Sequence, residues 1–488
     1  MSISKFGEWL PDQSNYGNPG LIKATNVYPT ATSYLPVKEL ATNSSALSNR
    51  PLGAIQVRDK DLNVLQYAGD SGKLYQNVSD TWTDKSKVGG YSTATEEIWE
   101  FIPWKNKLLA TNFSDSPQQI TLGGSVFSDL TTAFKARHIS SVRDFVVMAN
   151  TNDSSDGNVT SRVRWSAFND ETDWTVSSST LSGYQDLKNA PVIRIFGGEF
   201  GVIFQRESVW RMTFIGSPTV FQFDEVLPGI GLLSPGSAVR DGDSVFFLSP
   251  RGFFSLVNGT TTRPIGAEKV DRLVLDDLDE TYAYRITSAL DPKSKRIFWA
   301  YPGSGSVSGR PNKIVVYDRA LDRWTLIERD VELLWSSSGL GKTLEDLDSV
   351  SSSIDALEFS LDSSVWKGGA SILGAFDTDY KSGFFEGANM TATIETQDLE
   401  INEGSRTLLN AFRPVIEGGT VTAKVGTRNS LSDPISFGAS LSLRSTGRFI
   451  CRENARYHRL QFTISDAWTH AIGFQLEPKE ARNAGQRG

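Results

Sequence analysis

Cysteine is nearly absent from this 488-residue chain. Cys451 stands alone, which excludes an intrachain disulfide and any zinc cage built on cysteines. Only three histidines occur, His138, His458 and His470, none with a partner at metal-ligand spacing. No metal site is expected from them, and each reads as a surface or half-buried strand residue. No run of about 18 apolar residues exists, so no helix is expected to span a membrane. Met1 to Pro11 lacks a cationic segment followed by an apolar one, so no secretory signal is expected, and assembly in a reducing cytoplasm follows. Basic clusters are missing as well. The net charge is −8 with Lys and Arg scattered, which argues against gripping nucleic acid by its phosphates. It does not argue against DNA passing by.

Aromatic residues and glycine are what the chain has in quantity. Twelve Trp and 27 Phe beside four Met favour strands, where flat rings pack on pleated faces. The 42 glycines against 19 prolines fit many tight turns that need positive φ. The length implies two or three domains.

A four-part unit recurs: an apolar strand, a polar turn, a second apolar strand, a Gly- or Asp-rich turn, a third strand and a third turn. An aromatic or apolar residue then opens a fourth strand. Those opening residues are Trp82, Phe127, Trp174, Phe221, Ile265 and Trp324. Their spacings are 45, 47, 47, 44 and 59 residues, a period that belongs to propeller blades. The longest spacing holds an insertion, Glu268 to Glu280, with Val270, Leu273, Val274 and Leu278 at helical intervals. A single such unit cannot bury both faces, so the units must stack in a closed circle. The predicted fold is all-β: a propeller of about six four-stranded blades over residues 51–330, with a C-terminal antiparallel, sandwich-like β-domain over 387–480.

Residues 1–50 read as an arm whose strand-like piece, Ala24 to Tyr34, either adds a strand to the last blade or reaches a neighbouring subunit. Residues 331–386 form a connecting region that could complete the propeller. Within it, Leu344 to Leu357 reads as a loop or short helix. Residues 481–488 read as a flexible tail.

Chemistry-bearing motifs are scarce. Asp276, Asp277, Asp279 and Glu280 could be offered as paired carboxylates for glycoside hydrolysis, but they read better as a solvated helix end. Asp153 to Gly157 breaks calcium-loop spacing and reads as a turn. Ser360 to Trp366 is one degenerate copy of the box found at the blade turns of sialidase-like propellers. Cys451, after Phe449 and Ile450, reads as a small buried residue. The sequence therefore predicts no catalytic residue, no cofactor, no metal and no enzyme activity.

Several stretches resemble the tail hub or nozzle proteins, also called packaged-DNA stabilisation proteins, of short-tailed bacteriophages. They are Gly20 to Pro29 with Tyr34 to Val37, and Gly229 to Ser237 followed by Gly242 to Ser249. Gly252 to Phe254, Pro264 to Asp271, Gly374 to Gly387 and Ala471 to Leu476 complete the set. The resemblance implies a structural virion protein that forms a homohexameric ring below the portal and adaptor rings. Such a ring extends the DNA channel, retains the packaged genome and anchors a needle, knob, tailspike or fibre. Six copies at −8 each would make an acidic conduit that repels DNA phosphates during ejection. The alternative from the repeat alone is a glycan-binding or glycan-cleaving propeller, a tail depolymerase or lectin.

Overall fold

The computed structural model of the chain describes residues 3–188, 190–291, 293–338, 353 and 371–479. The readings of 344–357, 360–366 and the 481–488 tail fall outside the described residues, Ser353 apart.

The second strand of a typical unit is a short, continuous apolar run, such as Phe145 to Met148, Val245 to Leu248 and Ile297 to Tyr301. Alternation is lost there because both faces are covered. All of these residues are buried, flanked in-sheet by antiparallel first and third strands.

Six such antiparallel quartets follow one another along the chain. Blade 1 runs from Gly53–Arg58 to Thr81–Asp84, blade 2 from Glu100–Trp104 to Ser128–Asp129, and blade 3 from Phe134–Val142 to Gly183–Asp186. Blade 4 runs from Val192–Phe196 to Val220–Pro228, blade 5 from Ala238–Asp241 to Thr261–Pro264, and blade 6 from Thr287–Asp291 to Arg323–Glu328. The connecting region supplies three strands of a further quartet, Leu333–Ser338, Ser371–Phe376 and Lys381–Phe384. Its fourth strand comes from the arm, Ala41–Ala46, paired antiparallel to Lys381–Phe384. Six quartets are self-contained sheets, whereas blade 6 continues at its outer edge into a curled sheet of fifteen strands.

Buried apolar clusters lie between successive quartets and close the circle. Tyr67, Trp99 and Phe127 fill the space between blades 1 and 2, Phe204 and Phe247 that between blades 4 and 5, and Phe298, Leu334 and Ala375 that beyond blade 6. Trp82, Trp335 and Phe376 join the last quartet to blade 1. Of the six residues expected to open a fourth strand, Trp82, Phe127, Phe221 and Trp324 stand at its start, whereas Trp174 lies in the loop before Gly183–Asp186 and Ile265 follows Thr261–Pro264; all six are at most 6% exposed. Trp82, Phe127, Phe221 and Trp324 each reach back onto an aromatic of the preceding quartet, namely Phe376 (5.7 Å between ring centroids), Tyr67 (6.1 Å), Phe145 (5.1 Å) and Phe253 (4.8 Å). The insertion folds as a helix, Asp271–Asp277, followed by a 3-10 turn, Glu280–Arg285. Val270, Val274 and Leu278 face the core, as their spacing predicts.

The C-terminal β-domain is built on one long hairpin, Thr407–Arg428 with Tyr457–Lys479. Bulges at 415–420 and the positive φ of Gly418, Gly419 and Asp466 bend it over on itself. Phe462 thereby faces Phe474 at 6.0 Å and Phe412 at 5.8 Å, making a sandwich-like core. Phe6 and Trp9 of the arm enter this core. Leu21–Thr25 of the arm lies between the two modules. It pairs antiparallel with Ala392–Thr396 and, where Thr25 stands opposite Leu326, parallel with the outer strand of blade 6. The arm therefore adds strands to two blades of its own ring.

Trp324 sits among Trp299, Tyr317 and Phe253, with its Nε1–H donating to the Ile265 carbonyl (3.0 Å). Trp324→Ala is expected to destabilise the chain by about 3–5 kcal/mol, and Val88→Ala, at a fully exposed position, by less than about 0.5 kcal/mol. Urea denaturation followed by tryptophan fluorescence checks both; equal shifts would refute the assigned packing.

Candidate functional site on the ring axis

First strands of blades 1, 2, 4, 5 and 6 and of the further quartet converge on the axis, around a cavity of about 360 Å³. Leu52 to Gln56, Ile98 to Phe101, Arg194, Ile286 to Ser288 and Leu333 to Ser336 contribute to its wall. Its charged members belong to one ion cluster. Glu100 begins the first strand of blade 2, His138 lies on the first strand of blade 3, and Arg194 lies on the first strand of blade 4. Glu100 Oε1 accepts from Arg194 Nη1 (2.8 Å) and contacts His138 Nδ1 (2.7 Å), while Oε2 accepts from the Ile139 N–H (3.1 Å). Burial works to raise the Glu100 carboxyl, but the charges of Arg194 and His138 and these hydrogen bonds outweigh it and hold it below its ordinary range.

A second cluster lies between blades 2 and 3. Glu171 accepts from Trp104 Nε1 (2.8 Å) and Lys107 Nζ (2.7 Å). Burial again opposes ionisation, yet the bond from Lys107 leads the opposing effects and the carboxyl is held at about 2. Carboxylates committed in this way to cationic donors are poor general acids or bases near neutrality.

The residues weighed from sequence are dispersed. Asp277 takes both oxygens to Lys313 Nζ (2.7 and 2.8 Å), and Asp279 accepts from the Thr281 N–H to cap the 3-10 turn. Asp153 and Asp156 both bind Arg162 at a hairpin turn. Cys451 is buried, its thiol pushed up to about 11 by that burial, and it donates to the Leu409 carbonyl (3.3 Å). The histidine reading needs correction. All three lie on strands, but His138 and His458 are fully buried, at 2% and 0% exposure; only His470, bonded to Ser33 Oγ (3.1 Å), is half-buried. Among the described residues no three His, Cys, Asp or Glu side chains gather as metal ligands would. Sequence reasoning missed the Glu100 cluster because its members are 38 and 94 residues apart and share no local motif.

No family model matches the chain, and no curated protein matches it. Solved structures similar to it include the extracellular domain of a putative hybrid two-component system from B. thetaiotaomicron, at 11% identity and a TM-score of 0.44. That match covers 79% of this chain and 45% of the other, so this chain spans less than half of its length. The WD40 domain of Neurospora crassa Pan2 is similar at 7% identity over 71% of this chain and 95% of that one, with a TM-score of 0.41. BamB from Moraxella catarrhalis is similar at 9% identity over 74% and 94%, with a TM-score of 0.36.

A carboxyl whose pKa is lowered in the folded state contributes stability that is complete above its unfolded value, about 4.3. That contribution is lost as pH falls through the folded value. Glu100→Gln is therefore expected to cost about 3–5 kcal/mol at pH 7, because Arg194 is left without its buried partner. The difference in melting temperature between wild type and variant should shrink as pH falls below about 4. A difference that stays constant from pH 7 to pH 3 would show that Glu100 is not stabilised as a charge.

Proposed function

We propose that this chain is a structural subunit of a short-tailed phage virion, a tail hub or nozzle protein. Six copies form a ring below the portal and adaptor rings, extend the DNA channel, retain the packaged genome and anchor the distal needle, knob or spikes. The protein assembles in the host cytoplasm and meets DNA as a passing polymer, without reading its sequence.

One observation carries this reading. The stretches that resemble the hub family fall on the seams of the fold, where packing dictates residue type. Gly20 to Pro29 contains the strand that joins propeller to C-terminal domain. A side chain on Gly236 would come within 2.0 Å of the Ile286 carbonyl oxygen, one on Gly383 within 2.1 Å of the Ala41 carbonyl oxygen, and one on Gly473 within 2.2 Å of the Ser4 carbonyl oxygen. Asp271 closes the Pro264 to Asp271 stretch by accepting from the Phe253 N–H (2.9 Å), and Cβ atoms on Gly252 or Gly266 would collide with its carboxylate. These positions specify how modules lock together and specify no reaction. A part that bears load and guides a polymer needs such locks and no reactive side chain.

The purified full chain is expected to self-associate by native mass spectrometry and to give rings in negative stain. Antibody against it should label the tail of intact particles. Turnover of capsular or lipopolysaccharide glycan by the pure protein, with no particle labelling, would overturn the reading in favour of a glycan-active propeller.

A further inference from the structure

Two open sheet edges of opposite charge stand out on the surface. The outer strand of blade 4, Val220–Pro228, is nine residues long and, among the described residues, pairs only with Ser208–Gly216. It exposes Gln222, Asp224 and Glu225. Glu225 has no ion pair among the described residues, and Asp224 is met only by Gln222 Nε2 (2.9 Å). The second edge is Phe449–Ala455 in the C-terminal domain, which among the described residues pairs only with Thr407–Arg428. It turns Ile450, Arg452 and Asn454 to solvent, and Arg444 lies in the turn that leads into it. Arg448, Arg456 and Arg459 are held by Glu477, Glu400 and the Glu395–Asp398 pair, whereas Arg444 and Arg452 have no ion pair among the described residues. Phe437, Leu443 and Ile450, each more than a third exposed, add apolar surface in the same part of the domain.

An unpaired edge is a template for another strand, and its charges select which strand. The acidic edge repels a second copy of itself, and so does the basic one. Each is complementary to the other, and charge complementarity steers association and fixes register. Two different surfaces on one chain that fit each other make a head-to-tail contact, the kind that closes rings instead of isolated two-fold dimers. We infer that copies of this chain join by pairing Val220–Pro228 of one copy with Phe449–Ala455 of the next, with Asp224 and Glu225 facing Arg444 and Arg452. The inference rests on the proposed ring and names the contact that builds it.

Sedimentation and native mass of the full chain test it at low and physiological salt. Wild type is expected to assemble more weakly as salt rises. Asp224→Lys with Glu225→Lys, and separately Arg444→Glu with Arg452→Glu, should each weaken assembly about tenfold or more. The quadruple variant, with both edges reversed, should recover it, and circular dichroism should be unchanged throughout. If both double variants assemble as wild type does, the assigned edges are wrong while the ring reading stands. If the quadruple variant fails to recover, the pairing is overturned as well. A wild-type chain that stays monomeric at every concentration and salt overturns both the contact and the ring.

Discussion

Each blade is a small twisted sheet whose second strand is largely buried on both faces, and nothing within one blade can cover it. That constraint organises the molecule. Stacking face to face around a closed circle removes every open face at once, and buried aromatic clusters between neighbours supply the cohesion. The aromatic that opens a fourth strand does particular service, because in four units it leans out of its own sheet onto a ring of the preceding one.

Closure has a further cost, since the circle must be joined by residues from the two ends of the propeller's sequence. The pairing of Ala41–Ala46 with Lys381–Phe384 makes that joint, reinforced by the Ser44 and Ser382 hydroxyls at 3.0 Å. The arm does more before it arrives there. The Thr325 Oγ1–H is shared between the carbonyls of Ala24 and Val27 (2.9 and 2.7 Å), and the Tyr34 hydroxyl donates to the Gly7 carbonyl (2.7 Å). Ring and C-terminal domain thus share one sheet and one buried core. Contacts of such long sequence separation form slowly. Once formed, they make the modules mechanically one piece.

Charge inside this frame is used for placement. Glu171, Glu332 and Asp398 are buried carboxylates each met by two cationic side chains, and buried Glu100 is met by Arg194 and the His138 ring. A buried ion pair adds little net stability over a well-packed apolar pair, but breaking it leaves an uncompensated charge. These clusters penalise a mis-stacked or slipped blade.

The sequence by itself determined the class of fold, the six consecutive quartets, the helical insertion and the burial of Trp82, Phe127, Trp174, Phe221, Ile265 and Trp324. All of these depend on local periodicity and turn chemistry, which neighbouring residues carry. It left open whether the strand-like piece of the arm joins the last blade or a neighbouring subunit, and within the chain Leu21–Thr25 pairs with blade 6. Residues 331–386 were open to completing the propeller, but the source of that quartet's fourth strand was hidden, because it lies more than 330 residues from the third and no period spans that gap. The depth of His138 and His458, the Glu100 cluster and the folding over of the long hairpin were equally invisible. Those features arise where strands distant in sequence are brought together, so only the tertiary structure, through ring closure and the bend at Gly418 and Gly419, could decide them.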